Sequence, residues 1–283
     1  MINTESVIYM RQELTQKEIQ DVALDILKKV AAICEENDFR YLLMYGTLIG
    51  AIRHKGFIPW DDDLDIMMPR PDYDRFLEYM KTHEIPNLKI LNPDTSDKYP
   101  YMITRVSDDR YEMIADNEID YGAGVFIDIY PFDGLGTDKK KSIKFGLKGD
   151  RISSFCYQAS RKSFQKETTT SKIKYMMKLP VYHVSKAFGY KFFQKKLEKL
   201  VGKHPYDKSE YVGCVVWLSG GIKDIFKRSW FDDYIMAPYE DSEFRIPKKY
   251  DRILRHIYGD YMQLPPESDR VGHHCYKIYR KND

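Results

Sequence analysis

No stretch of this 283-residue chain approaches the roughly eighteen consecutive apolar residues that a membrane-spanning helix requires, so no span is expected. The first residues, Met1 to Ser6, hold no apolar segment of the secretory kind, and no leader is expected from them. Cysteine is scarce. Cys34, Cys156, Cys214 and Cys275 stand far apart, with no Cys-x-x-Cys pair, which excludes zinc-type ligand spacing. They read as reduced cytosolic thiols, mostly in a core. Internal repeats and long low-complexity linkers are missing too, which excludes a solenoid and favours one compact unit.

Net charge is also small, at +2, but it is unevenly placed. Lys139 to Lys208 holds 19 Lys and Arg against 4 Asp and Glu, a local excess of +15, and the rest of the chain is therefore −13. Such a split points to one region that faces an anionic partner. Aromatics are abundant, with 23 Tyr and 14 Phe, which favours a folded chain over disorder.

The negative excess is sharpest in Tyr45-Gly-Thr-Leu-Ile-Gly-Ala-Ile-Arg-His-Lys-Gly-Phe-Ile-Pro-Trp-Asp-Asp-Asp-Leu-Asp-Ile-Met-Met-Pro69. An Asp-rich run is ordinarily a solvated loop. Here Phe57, Ile58, Trp60, Leu64, Ile66 and Met67 flank it, which is the setting of a buried strand. In an extended strand Asp61, Asp63 and Asp65 alternate onto one face, and Asp62 points away. Carboxylates crowded in this way need a cation, and a hard divalent ion such as Mg²⁺ or Mn²⁺ suits oxygen ligands. An EF-hand is excluded, because Ile66 stands where its glycine belongs and Asp72 where its glutamate belongs. The Gly46-Thr47 turn offers backbone N–H groups and a hydroxyl to a phosphate. Metal and phosphate cradle together indicate phosphoryl or nucleotidyl transfer.

The run from Tyr45 to Phe76 resembles the signature of the LicD-type phosphocholine transferases, a family that includes fukutin and the fukutin-related ribitol-phosphate transferases. Val125 to Gly134 (VFIDIYPFDG) and Phe244 to Arg270 extend the resemblance, whereas the stretch from about 139 to 234 carries little of it. It implies an α+β, nucleotidyltransferase-like fold, a mixed sheet flanked by helices, to which the charge and helical patterning of the C-terminal half add a basic, mainly helical insert. Residues 1–135 would form the catalytic core, and 136–283 the basic region and the C-terminal segment that packs on it. The implied reaction moves a phosphorylated alcohol from a CDP-activated donor to a sugar hydroxyl of a cell-surface glycan precursor, lipid-linked or polymeric.

Local patterns place these motifs. Thr15-Gln-Lys-Glu18 is a capping box, and Ile19, Val22, Ile26, Val30 and Ile33 follow at helical spacing to about Asn37. Phe39 to Met44 reads as a strand, and Leu48, Ile49 and Ile52 as a short helix stopped by Gly56. Asp61 to Met68 reads as the acidic strand, and Asp72 to Lys81 as a helix opened by Pro71. Further strands are expected at 88–91, 101–106, 111–115, 125–130 and 211–218. Lys139 to Lys203 reads as helical with a loop around Glu167, and Lys248 to Tyr258 as a helix.

With this reading Asp63 and Asp65 bind the metal, and Asp61 assists as a ligand or from behind. Asp128, a lone carboxylate in an apolar strand, is the candidate general base or second-metal ligand; a buried Asp paired with a basic neighbour is the plainer alternative. Arg53 suits a bidentate grip on the donor diphosphate, and His54 and Lys55 continue the basic run, although ordinary surface charge explains those two equally well. Trp60 is either an aromatic face for a quaternary ammonium or a core side chain. His273 and His274 are further candidates for substrate contact. Lysines interleaved with aromatics between 139 and 203 suit an anionic membrane surface better than nucleic acid, and a cytoplasmic, peripheral location is expected. Transfer from CDP-glycerol or CDP-ribitol, nucleotidyl transfer to a small acceptor and a non-catalytic binding module remain the competing functions.

Overall fold

The computed structural model describes residues 12–164, 172–218, 220–270, 272 and 276–282, with side chains left aside at 172–175 and 177. The expected loop around Glu167, together with His273, His274 and Cys275, lies outside the described residues. The fold is α+β, and no described helix is long and apolar enough to cross a membrane.

Helix α1 (Gln16–Glu36) starts where the capping box requires. The Thr15 N–H donates to Glu18 Oε2 at 2.8 Å, and the Glu18 N–H returns to Thr15 Oγ1 at 3.3 Å. Ala23, Ile26, Leu27, Val30 and Cys34 form its buried face, as 3.6-residue spacing dictates. Strand β1 is only Leu42–Leu43, because the chain turns at Tyr45 (φ 51°) into α2 (Tyr45–Ile49) and a π-helical turn, Gly50–His54. Strand β2 (Asp65–Pro69) follows, then α3 (Arg70–Met80), β3 (Leu88–Leu91), β4 (Thr104–Asp108), β5 (Tyr111–Ala115) and β6 (Phe126–Gly136).

The main sheet runs in the order β1-β2-β6-β4-β3. Its β2–β6 pair is parallel; β1–β2, β6–β4 and β4–β3 are antiparallel. Strand β6 is buried along nearly its whole length and does double duty. Its first half lies between β2 and β4, and its last residues pair with β7 (Tyr211–Gly213), which pairs in turn with β8 (Phe226–Lys227). The boundary expected at 135/136 therefore falls at the end of a shared strand.

The lysine-rich segment forms α4 (Lys139–Ser160), α5 (Lys172–Phe188) and α6 (Tyr190–Glu198). Asp138 caps α4 by accepting from the Lys141 N–H at 2.8 Å. Gly189, at φ 74°, takes the left-handed turn that separates α5 from α6. Beyond these helices the C-terminal half is not mainly helical. A hairpin of β9 (Tyr234–Tyr239) and β10 (Ser242–Pro247) precedes α7 (Tyr250–Tyr258), and β11 (Tyr276–Arg280) pairs with β5. The chain thus returns to the core twice: Glu240 N–H donates to Lys55 O at 2.7 Å, and Leu14 N–H to Ile278 O at 2.9 Å.

Candidate active site

The strand expected over Asp61 to Met68 begins only at Asp65. Residues 61–64 form an irregular approach to it, so alternation along one strand is not what gathers the carboxylates. Two other devices do. The loop is anchored by its backbone: Asp61 N–H donates to Ile58 O at 2.9 Å, and Gln20 Nε2 of α1 donates to Asp61 O at 2.8 Å. Sheet register then sets Asp65 of β2 directly beside Asp128 of β6, and Asp128 directly beside Arg105 of β4. Side chains opposite one another on adjacent strands share a face, so two carboxylates and a guanidinium lie in a row across three strands.

Thr47 holds the row in place. Its side chain is buried, and its Oγ1 accepts the Asp65 N–H at 2.7 Å. The Met44 N–H donates to Asp65 O at 3.0 Å, and the Asp128 N–H to Leu64 O at 2.9 Å. Gly46 is small for a reason of space: a β-carbon there would come within 3.0 Å of the Asp61 carboxylate. Gly46, Thr47, Asp61, Asp63, Asp65 and Asp128 are thus brought together.

The electrostatics of Asp65 follow from this crowding. Burial, then Asp63, Asp128 and Asp61 in that order, push its carboxyl well above the usual carboxylate range; a hydrogen bond from the Tyr130 hydroxyl works the other way. Asp63 Oδ1 lies 3.5 Å from the Tyr276 hydroxyl. Asp128 differs from Asp65 in having a cation: Arg105 Nε donates to its Oδ1 at 2.8 Å, and the pair is almost wholly buried. Arg105 is itself held by the Tyr121 hydroxyl and by the Phe126 ring, 3.9 Å from its guanidinium carbon. The plainer expectation for Asp128, a buried carboxylate with a basic partner, is met as geometry and does not remove it from the cluster.

Arg53, His54 and Trp60 make a second group. Arg53 Nη1 donates to the Tyr261 carbonyl at 2.7 Å and Arg53 Nε to His54 Nε2 at 2.9 Å, so this guanidinium fastens the loop that follows α7. Burial and then Arg53 hold the His54 imidazole below its usual value, hence neutral at pH 7. Trp60 lies edge-on to His54 at 6.3 Å and takes Arg270 over its ring at 5.8 Å. Lys55 is exposed; its left-handed backbone (φ 62°) closes the π-turn.

Sequence reasoning missed Arg105, Tyr130, Tyr276 and Tyr45. A lone arginine within the apolar run Tyr101 to Val106 was a readable signal for Arg105. Tyr45 gave none: its ring meets Tyr130 at 5.1 Å, and its buried hydroxyl has no hydrogen-bond partner in the protein.

The donor set fits a hard divalent ion, being all carboxylate oxygen, and the groups that act on Asp65 are three further carboxylates and a tyrosine hydroxyl. Among the described residues, however, no three acidic, imidazole or thiol groups close on one point at ligand distance. The carboxylates adjoin without converging.

Comparison with known proteins places the chain in a family. The family described as LicD/FKTN/FKRP, nucleotidyltransferase domain, matches residues 38–178, which include every carboxylate of the cluster. The lipopolysaccharide cholinephosphotransferase LicD of Haemophilus influenzae is 34% identical over 271 residues, 95% of this chain and 99% of that protein. Shorter matches cover an uncharacterized protein of Rickettsia typhi (38% over 55 residues) and one of Rickettsia prowazekii (43% over 47 residues). This chain belongs to the LicD family and is a transferase of the LicD type.

Proposed function

We propose that this enzyme transfers phosphocholine from CDP-choline to a sugar hydroxyl of a cell-surface glycan, such as a lipopolysaccharide, teichoic acid or capsule precursor, at the cytoplasmic side of the membrane. The observation that carries the reading is the register of Asp65 beside Asp128, joined to near full-length similarity with a lipopolysaccharide cholinephosphotransferase.

Asp63, Asp65 and Asp128 would hold Mg²⁺ or Mn²⁺, with Asp61 behind them. That ion, when bound, neutralises charge on the donor diphosphate and on the departing CMP. The acceptor hydroxyl gives up its proton to solvent, and its oxygen forms a bond to the phosphorus that carries choline. The bond from that phosphorus to the bridging oxygen breaks, and CMP leaves with the electron pair. The Arg105 guanidinium favours the charged form of Asp128 and fixes its direction, which suits a ligand better than a proton acceptor. Arg53, tied to the 261–263 backbone, positions the loop on the rim of the site. The buried Tyr45 and Tyr130 rings, packed edge-on at 5.1 Å, back Asp65 from the core side.

The test follows both products. With doubly labelled CDP-choline and Mg²⁺, phosphocholine transfer yields CMP and a glycan heavier by one phosphocholine, and the Asp63→Ala, Asp65→Ala double variant yields neither. Turnover of CDP-glycerol or CDP-ribitol in preference would replace the donor. Pyrophosphate release from a nucleoside triphosphate would replace the reaction.

A further inference from the structure

Two sets of side chains lie on α5 and α6. Tyr182, Phe193 and Leu197 are buried toward α4: the Tyr182 hydroxyl donates to Lys162 O at 3.3 Å, and Phe193 stacks on Phe155 at 5.5 Å. The other set is turned outward. Met176, Val181, Val184, Phe188 and Phe192 are 72%, 37%, 49%, 57% and 39% exposed. Given about 100° per residue, the four on α5 fall within an arc of about 140°. Phe188 stacks on Phe192 at 4.8 Å across the Gly189 turn, so the apolar stripe passes without a break from one helix to the next. A soluble helix normally buries such a stripe.

Lysine rims it. Lys178, Lys195 and Lys196 are exposed along these two helices, and Lys196 Nζ lies 5.2 Å from the Phe192 ring, whereas Lys191 is turned to Asp97 at 3.0 Å. From Lys172 to Lys203 the sequence has nine lysines and a single acid, Glu198. A second copy of the chain on this face would set lysines against lysines. A surface that takes up aromatic and aliphatic side chains at a shallow depth, and meets the lysine heads with phosphate, satisfies both features.

We infer that the outer face of α5 and α6 lies on an anionic lipid bilayer, with the Met176–Phe192 stripe at the acyl boundary and the lysines among the headgroups. The inference deepens the proposed function in one respect, since it sets the enzyme beside a membrane-held acceptor; the surface itself needs no assumption about the reaction.

The full chain is sedimented with vesicles of phosphatidylcholine alone or with phosphatidylglycerol added, at low and high salt. Binding is expected to the anionic vesicles, falling about tenfold or more on neutral ones or at high salt. Phe188→Ser with Phe192→Ser, and separately Lys195→Glu with Lys196→Glu, each weaken it by about tenfold or more. Both variants keep the wild-type thermal transition and the wild-type transfer to a soluble sugar acceptor. Failure of the wild-type chain to bind, equal binding to neutral vesicles, or unchanged binding by the variants overturns the inference. So does a dimer that the Phe variants convert to monomer while vesicle binding persists, because the stripe then belongs to a second copy. Vesicle binding without sugar transfer leaves the surface standing and removes the proposed reaction instead.

Discussion

The carboxylates at the head of β2 and β6 are crowded by backbone register, whereas the lysines of α4 to α6 are spread over helix faces open to solvent. In the first region four like charges press on one another in a buried setting, and Asp65 is driven toward protonation. In the second most of the lysines lie on exposed faces, and apolar side chains are the ones out of place. Like charge is tolerated on a wet surface for little free energy, but it is costly beside a buried sheet. Strain of the first kind is kept where a cation or substrate relieves it; unpartnered apolar surface is kept where something apolar covers it.

Breaking the acidic row has the largest expected effect. Arg105→Ala leaves Asp128 buried without its guanidinium and should cost about 3–5 kcal/mol, measured by denaturant unfolding. Arg105→Lys keeps the charge but loses the fork that meets Asp128 and Tyr121, and should fall between. A fully stable Arg105→Ala protein would mean that Asp128 does not depend on this partner.

Relieving the crowding gives a smaller effect of opposite sign. Asp65→Asn removes a carboxyl whose charged form burial and three neighbouring carboxylates disfavour, so at pH values where Asp65 ionises the metal-free variant should melt higher than the wild type, by about 2–4 °C for each kcal/mol of repulsion removed, while transfer is lost. Added Mg²⁺ should raise the transition of the wild-type chain more than that of Asp65→Asn. A lower transition for Asp65→Asn in the absence of metal would contradict the crowding.

The two regions are joined by a third charge pair, and there the effect is smallest. Arg161 at the end of α4 donates to Glu118 at 2.7 Å; burial alone would raise the Glu118 carboxyl, but Arg161 outweighs it and holds it below its ordinary 4.5. A carboxyl lowered in the folded state contributes stability above its unfolded value and loses it as pH falls through the folded one. Wild-type stability should therefore drop as pH falls below 4.5, and Glu118→Gln should flatten that drop. An unchanged acid limb would show that the pair contributes nothing.

The same contrast explains what was legible in the sequence. Local signals held: the Thr15 capping box, the apolar period of α1, the helix at Pro71, which starts two residues earlier than expected, and the helical nature of the lysine-rich segment. The identities of Asp63, Asp65 and Asp128 were readable as chemistry, but their placement was not, because it depends on a parallel pairing between residues far apart in the chain. Alternation supplied a plausible but mistaken reason for the clustering, since residues 61–64 are not a strand. The hairpin of β9 and β10 was missed for a physical reason as well: Pro238 and Pro247 mask its strand pattern. Nor could periodicity alone say which face of α5 turns outward; that depends on where α4 lies.

The measurement that bears most directly on the central claim is calorimetric titration of CDP-choline into the wild-type chain and into the Asp63→Ala, Asp65→Ala variant, with and without Mg²⁺. The expected result is saturable binding that needs Mg²⁺ and vanishes in the variant. Equal binding by both proteins, or binding indifferent to the metal, would contradict it.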